Sequence, residues 1–147
     1  MTAYNREWLS EQIVKKAADA IIFADAEGII QLWNSGAEAI FGYREEETLG
    51  KSLDLIVPEK LRQRHWEGYR KVMATGKTKY GKETLAVPAI TKGDKRISIE
   101  FTIVLVSNDS GEPLGTAAII RDVTERWLKE KELKKRFAEL EQREKNN

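Results

Sequence analysis

The chain of 147 residues contains a single histidine, His65, whose surroundings make it the clearest candidate for chemistry. It lies within a predicted helix that begins at Pro58 and extends to about Ala74. Positions four residues before it and three, four and seven residues after it share its face of the helix. These positions hold Leu61, Gly68, Tyr69 and Val72. We therefore expect the imidazole on the buried face, either as a structural side chain or as a neutral nitrogen ligand.

The predicted helix has a glycine, Gly68, near its middle, where glycine is unfavourable. Gly68 lies one turn after His65, and a glycine inside a helix costs roughly 1 kcal/mol relative to alanine. We expect it to remove bulk beside the imidazole, where a flat ring could approach.

The composition excludes several kinds of site. The chain has no cysteine, which rules out disulfides, thiolate metal sites, cysteine nucleophiles and cysteine-linked chromophores. It also has no phosphate-binding loop, no dinucleotide-binding glycine motif, no zinc-protease motif and no set of serine, histidine and acid. We expect no enzymatic activity.

Charge and hydropathy narrow the range of partners. The net charge is +1, and the basic residues near the C-terminus alternate with acidic ones, so we expect no direct binding of nucleic acid. Residues Met1 to Lys15 carry charges throughout, unlike a signal peptide. Because no stretch has the length and apolar character of a membrane span, we expect a cytoplasmic protein without membrane contact.

Short apolar runs and turn residues predict five strands. Ala20–Ala24 and Ile29–Trp33 flank a turn that ends in Gly28, which indicates a β-hairpin. Three later strands are predicted at Glu83–Ala89, Arg96–Val106 and Leu114–Val123. The second of these alternates, with its apolar face formed by Ile97, Ile99, Phe101, Ile103 and Leu105.

Helices are predicted before, between and after these strands. The segment Tyr4–Ala18 is amphipathic, and we interpret it as a helix that covers the open side of the domain or that dimerises. Two short helices, Gly36–Phe41 and Glu45–Leu49, precede the helix that carries His65. Strands and helices that are segregated in this way favour an α+β fold with one antiparallel sheet.

The chain changes character at Thr124, after which it is highly charged and free of glycine and proline. Leu133, Phe137 and Leu140 lie at coiled-coil spacing. The segment is therefore either a solvated terminal helix or an output helix that pairs with a second copy.

This order of elements, with several short motifs, resembles the PAS family. The motifs are Gly28-Ile29-Ile30, Trp33-Asn34, Phe41-Gly42-Tyr43, Leu49-Gly50, Lys92-Gly93-Asp94 and Asp122-Val123-Thr124. The resemblance covers roughly Ala18 to Thr124. It implies a five-stranded antiparallel sheet with helices across one face, and a pocket between that face and the long helix. We therefore divide the chain into an N-terminal amphipathic helix (1–18), a PAS sensory domain (19–124) and a C-terminal signalling helix (125–147).

The segment Arg64-His65-Trp66-Glu67-Gly68-Tyr69 is similar to the haem-ligating helix of haem-binding PAS sensors of oxygen and carbon monoxide. This resemblance implies haem b with His65 as the axial iron ligand. It also implies an apolar distal wall on the sheet and cations near the haem propionates. The implied set comprises Leu61, Gly68, Tyr69 and Val72 on the helix, Leu85, Val87, Ile99, Phe101 and Ile103 on the wall, and Lys71 and Lys79 at the propionates.

One difference from the oxygen-sensing members bears on the choice of gas. Those relatives carry an arginine on the strand after the long helix, where Leu85 stands here. An apolar wall suits carbon monoxide or nitric oxide better than polar bound oxygen. The methionines are Met1 and Met73, so the sheet cannot supply a distal methionine, and we expect five-coordinate or water-ligated iron.

Two other functions are compatible with the sequence. A PAS domain without a cofactor would only dimerise or dock a partner, and His65 would then be structural. Non-covalent flavin is a further alternative, favoured only by the tryptophans. In the haem hypothesis, a gas or redox change shifts the sheet, whose last strand runs directly into the helix after Thr124. That helix would act within a homodimer, formed through the terminal helices, on an effector that the sequence does not identify.

Overall fold

The computed structural model describes residues 4–78 and 85–146. In these ranges the chain forms five α-helices and five strands, with 3-10 turns at Leu53–Leu55 and Glu59–Leu61. The helices are α1 (Arg6–Lys16), α2 (Ser35–Phe41), α3 (Glu45–Thr48), α4 (Arg62–Thr75) and α5 (Thr124–Asn146). The strands are β1 (Ala20–Asp25), β2 (Ile30–Trp33), β3 (Leu85–Ile90), β4 (Arg96–Ser107) and β5 (Pro113–Asp122).

The strands form one antiparallel sheet in the order β2-β1-β5-β4-β3. The register places Val87 of β3 opposite Ile99 of β4, and Phe101 of β4 opposite Ile120 of β5. Because directly opposed side chains project from the same face, these four residues share one side of the sheet. The predicted α+β fold with a five-stranded antiparallel sheet is confirmed.

The core lies on this inner face of the sheet. Trp33 of β2 is opposite Ile22 of β1, and both are buried. The rings of Trp33 and Phe41 lie 5.6 Å apart between their centroids, so α2 packs directly on the hairpin. The indole Nε1 of Trp33 donates a 3.0 Å hydrogen bond to the carbonyl of Tyr43, which satisfies its buried N–H group.

The buried amide of Asn34 joins three elements at the end of the hairpin. Its Oδ1 accepts hydrogen bonds from the backbone N–H groups of Ala37 (2.9 Å) and Ile21 (2.8 Å), which caps α2 and holds it to β1. Its Nδ2 donates to the carbonyls of Val14 (2.7 Å) and Asp19 (3.1 Å). This one side chain therefore ties α1 and the start of β1 to α2.

The long helix differs from its prediction at its beginning. Pro58 is followed by a 3-10 turn, and regular α-helical geometry begins only at Arg62. The guanidinium of Arg62 donates to the carbonyl of Val57 (3.1 Å), which fixes this first turn to the preceding loop. The helix ends at Gly76, which adopts the left-handed conformation with φ at +70°.

The terminal helices expose most of their apolar side chains. In α1, Trp8 is 52% exposed and Ile13 is 61% exposed, so the interpretation of this helix as a cover for the domain is wrong for these side chains. In α5, Leu133 is 64% exposed and Phe137 and Leu140 are similarly open to solvent. Among the helices in the described part of the chain, none combines the length and the apolar character needed to cross a bilayer.

Candidate functional site

Helix α4 places the candidate residues on two different sides. Tyr69 is buried, and His65 is half-buried on the same side of the helix. Leu61, at the end of the 3-10 turn before α4, and Val72 are also half-buried, whereas Lys71 is exposed. The helical spacing in the sequence therefore gives the correct face for His65 and for its apolar neighbours.

Gly68 lies on an open part of the surface of α4. It is exposed, and a Cβ atom added there would meet nothing within 4 Å. The structure therefore shows open space at Gly68, and its role beside a flat ring stays a prediction.

The imidazole of His65 lies against two other aromatic rings. Its centroid is 4.7 Å from that of Trp66, with an angle of 74° between the ring planes, and 6.0 Å from that of Tyr69. The Nδ1 atom is buried, and the described part of the chain offers it no hydrogen-bond partner. Buried polar nitrogens without a hydrogen-bond partner are rare in native proteins, which suggests that a bound group completes this one.

Burial also sets the protonation state of this ring. The loss of solvent lowers the pKa of His65 below its ordinary value of 6.5, and the nearby carboxylate of Asp54 acts in the opposite direction with a smaller effect. The imidazole is therefore neutral near pH 7, which is the form in which a histidine nitrogen can bind a metal ion.

Two anchors hold the aromatic side of α4 against the sheet. The hydroxyl of Tyr69 lies 3.1 Å from the carbonyl oxygen of Ala24 and 2.5 Å from that of Asp25, at the end of β1. The indole Nε1 of Trp66 donates a 2.7 Å hydrogen bond to the carboxylate of Asp54. Both residues whose aromatic rings contact His65 are therefore anchored by hydrogen bonds.

The inner face of the sheet opposite α4 is closed at one end and open at the other. Ile97 and Ile99 of β4 are buried, while Phe101 and Ile103, further along the same strand, are half-buried. On β3 the same change runs from buried Ala89 to half-buried Val87. The closed end is sealed by the loop before α4, because the backbone N–H of Ile90 donates to the carbonyl of Ile56 (3.0 Å). The open end is a half-buried apolar surface formed by Val87, Phe101 and Ile103.

Two predicted residues fall partly or wholly outside the described chain. Lys79 lies outside it, and of Leu85 only the backbone is described, paired with Phe101. No cluster of three or more histidine, cysteine, aspartate or glutamate side chains that could hold a metal ion occurs among the described residues. Metal binding here would therefore need a cofactor that supplies the other ligands of the metal ion, with the imidazole of His65 as the single ligand from the described residues.

The far end of the sheet is joined to α5 by a compact set of polar contacts. The hydroxyl of Thr124 accepts a 2.9 Å hydrogen bond from the backbone N–H of Ser98 on β4. The backbone N–H of Thr124 donates to the carboxylate of Asp122 (2.9 Å), and Arg126 pairs with Glu100 on β4. Glu100 lies between Ile99 and Phe101 in the strand, so β4 connects the apolar surface with α5.

Sequence reasoning missed Asp54 and the structural role of Trp66. The signal that could have pointed to Trp66 is Gly28, because a turn glycine often marks a close approach by another group. The sequence alone offers no comparable signal for Asp54, which contacts Trp66 from a loop twelve positions earlier.

Comparison with curated proteins places the chain among signalling proteins. It is 30% identical over 138 residues to the sensor protein FixL of Bradyrhizobium diazoefficiens, which covers 92% of this chain and 26% of that protein. It is 29% identical over 134 residues to the signal transduction histidine-protein kinase AtoS of Escherichia coli, covering 90% of this chain and 20% of that protein. The oxygen sensor protein DosP of Escherichia coli is 26% identical over 95 residues, or 65% of this chain and 12% of that protein. The chain thus spans about a quarter or less of the length of these relatives.

Solved structures show the same architecture. The PAS domain of a protein from Colwellia psychrerythraea superimposes with a TM-score of 0.72 at 21% identity, covering 82% of this chain and 99% of that one. An RNA-binding light-oxygen-voltage receptor gives a TM-score of 0.74 at 20% identity, covering 90% of this chain and 37% of that one. The PAS fold family matches residues 14–127, which include the whole sheet, α4 and the start of α5. This chain therefore belongs to the PAS family.

Proposed function

We propose that this PAS domain binds haem b with His65 as the axial iron ligand, and that it responds to a diatomic gas or to a redox change. The observation that carries the proposal is the half-buried imidazole of His65, whose buried Nδ1 has no partner among the described groups. The similarity to an oxygen sensor protein, at 26% identity, supports it. We propose no catalytic activity for the domain itself.

The residues present fit this cofactor. His65 is neutral near pH 7 because burial lowers its pKa, and a neutral imidazole is the usual axial ligand of a gas-binding haem. When bound, haem iron supplies an open coordination position for a gas. The chain's part is to hold the imidazole, to enclose the flat ring with apolar side chains, and to exclude water.

The open end of the sheet would form the wall opposite the imidazole. Val87, Phe101 and Ile103 are apolar and half-buried there, and Ile99 closes the wall towards the core. Side chains without a hydrogen-bond donor stabilise polar bound oxygen poorly. An apolar wall therefore favours carbon monoxide or nitric oxide over oxygen. Lys71 is exposed and could reach a propionate, and Lys79 stays a prediction.

The proposed output follows from the contacts between β4 and α5. A shift of Phe101 would be passed along the strand to Glu100 and Ser98, which contact Arg126 and Thr124 at the start of α5. The exposed apolar residues of α1 and α5 would pack in a homodimer, and α5 would change its packing there. We propose that the effector that responds to this change is a signalling domain or a signalling protein.

A second candidate function is a cofactor-free interaction module. The exposed Trp8 and Ile13 of α1 favour it, because apolar side chains in such a position are typical of a surface that binds another protein. Flavin is a third possibility, since a light-oxygen-voltage receptor shares the fold, although a similarity at 20% identity concerns the fold alone.

The colour of the purified protein separates these functions. Tag-free protein is required, because a polyhistidine tag would add imidazoles to a chain that has only one. On titration with haemin we expect saturable binding and a Soret band, and we expect His65→Ala to lose the band of the ligated form while keeping its fold. Exogenous imidazole should restore a ligated spectrum to the His65→Gly variant. A wild-type protein that stays colourless with ample haem would exclude the haem function, and a yellow protein would indicate flavin.

A further inference from the structure

We infer that Asp54 and Trp66 are positioning residues for the imidazole of His65: the carboxylate of Asp54 fixes the indole of Trp66, and the indole fixes the orientation of the imidazole. This inference rests on the proposed function for its biological meaning, because an axial ligand must be held in one orientation. The contacts themselves can be tested in the protein without haem.

The first step is that Trp66 is held from two directions. Its Nε1 donates a 2.7 Å hydrogen bond to Oδ1 of Asp54, in the 3-10 turn Leu53–Leu55. Its six-membered ring lies over the turn between β1 and β2, where a Cβ atom added at Gly28 would come within 2.1 Å of it. The indole is therefore held by contacts with two separate loops.

The second step is that His65 depends on this indole. Histidine ligands are usually oriented by a hydrogen bond from the second ring nitrogen to a carboxylate, a carbonyl or water. The structure shows no hydrogen bond between either ring nitrogen of His65 and a described group. The orientation of the imidazole is left to ring packing, and the T-shaped contact with Trp66, at 4.7 Å between centroids, is the nearer of its two aromatic contacts.

The third step is that Asp54 could act on His65 in two ways. Its negative charge favours the protonated imidazole, and its hydrogen bond to Trp66 fixes the indole. Substitutions separate these effects, because asparagine keeps an oxygen acceptor for the indole N–H and removes the charge, whereas alanine removes both. If Asp54 is a positioning residue, Asp54→Asn should preserve the orientation of the imidazole, whereas Asp54→Ala should not.

The first experiment uses the protein without haem. Because the chain has one histidine, a tag-free sample labelled with ¹⁵N gives a single set of imidazole signals in a ¹H–¹⁵N NMR spectrum. We expect one sharp set for wild type and for Asp54→Asn, and broadened or multiple signals for Asp54→Ala, as the imidazole samples several orientations. A single sharp set for Asp54→Ala, or equal broadening for Asp54→Asn, would overturn the inference.

A second variant decides the matter if Asp54→Ala fails to fold. Trp66→Phe removes the same hydrogen bond from its other partner and keeps an aromatic ring, so it should also broaden the signals of His65, and a single sharp set would count against the inference. The matched controls are Asp109→Ala, in an exposed turn, and Trp8→Phe, on exposed α1, and both should leave the spectrum of His65 unchanged.

The second experiment connects the inference to haem. Loss of an outer partner of a metal ligand typically lowers metal affinity by about 10- to 100-fold, and we expect a loss in this range for haem binding by Asp54→Ala and Trp66→Phe. Asp54→Asn should bind close to wild type, and full affinity in Asp54→Ala would overturn the inference. If wild type binds no haem, the proposed function fails, and the NMR comparison still decides whether Asp54 and Trp66 position the imidazole.

Discussion

Gly28 and Trp66 are in such close contact that a Cβ atom on the glycine would lie 2.1 Å from two atoms of the indole ring. The glycine lies in the turn between β1 and β2, and the indole belongs to α4. The turn that closes the first hairpin is therefore also the surface on which the histidine-bearing helix rests. Its φ of +78° adds a second reason for glycine at this position.

Gly28→Ala should destabilise the protein strongly. The left-handed backbone costs a residue with a Cβ atom roughly 1–2 kcal/mol. Displacement of the indole adds about 1–3 kcal/mol, in the range seen for overpacking. The matched control is Gly50→Ala, because Gly50 has a φ of +81° but nothing within 4 Å of an added Cβ. Urea unfolding of both variants gives the comparison, and equal losses would show that the contact with Trp66 is unimportant.

Asn34→Ala should lose more stability than most surface substitutions. The amide is buried, and its removal leaves the N–H groups of Ile21 and Ala37 without their acceptor. Each buried group left unsatisfied costs about 1–3 kcal/mol, so for the two N–H groups we expect a loss of about 2–6 kcal/mol in the free energy of unfolding. Asn108→Ala is the control, since Asn108 also accepts two backbone hydrogen bonds but lies in an exposed turn. A loss in Asn108→Ala as large as that in Asn34→Ala would contradict the importance of burial.

We expect the protonation of His65 to make the free energy of unfolding depend on pH. Its pKa in the folded protein lies below the ordinary value of 6.5, because burial disfavours the charged ring. The unfolded chain therefore takes up a proton first as the pH falls, and this lowers the free energy of unfolding below about pH 6.5 until the folded pKa is reached. At higher pH both states are neutral and the contribution is constant.

A comparison with His65→Gln isolates this effect, because glutamine has no charge to gain. The free energies of unfolding of the two proteins, measured between about pH 7.5 and pH 5.5, should diverge in slope, with wild type losing more stability on acidification. Parallel curves would mean that the imidazole titrates in the folded protein as it does in the unfolded chain.

The hydroxyl of Thr124 should hold the first turn of α5 to the sheet. Thr124→Val keeps the shape of the side chain but removes the contacts with Ser98 and Asp122. We expect a local loss of about 1 kcal/mol, seen as faster hydrogen exchange of the amides at the start of α5. Thr75→Val, at the exposed end of α4, makes the same chemical change and should leave α5 unaffected. Unchanged exchange in Thr124→Val would mean that other contacts hold the helix.

The sequence predicted the sheet well because the physical signals there are local. The alternation along β4 sets its inner face, and the turn before Ile29 sets the hairpin, so both could be inferred from neighbouring residues. The face of α4 that carries His65 followed from helical spacing in the same way. These features depend on residues within one or two turns of each other.

The features that the sequence could not predict depend on distant groups. The hydrogen bond between Asp54 and Trp66 joins two elements whose relative placement is a result of the whole fold. The exposure of Gly68 depends on how closely other elements approach it, which helical spacing does not reveal. The covering role expected for α1 was wrong for Trp8 and Ile13, because amphipathic spacing identifies an apolar stripe but not the surface against which it packs.

Because α5 is long, a small change in its angle at Thr124 produces a large displacement at its C-terminal end. The helix has 23 residues, so at 1.5 Å per residue it extends about 35 Å from the sheet. A tilt of about 5° at Thr124, which needs atomic shifts of well under 1 Å in β4, would move the far end by about 3 Å. In the proposed sensor, a helix of this length would turn a small movement at the sheet into a larger displacement at its far end.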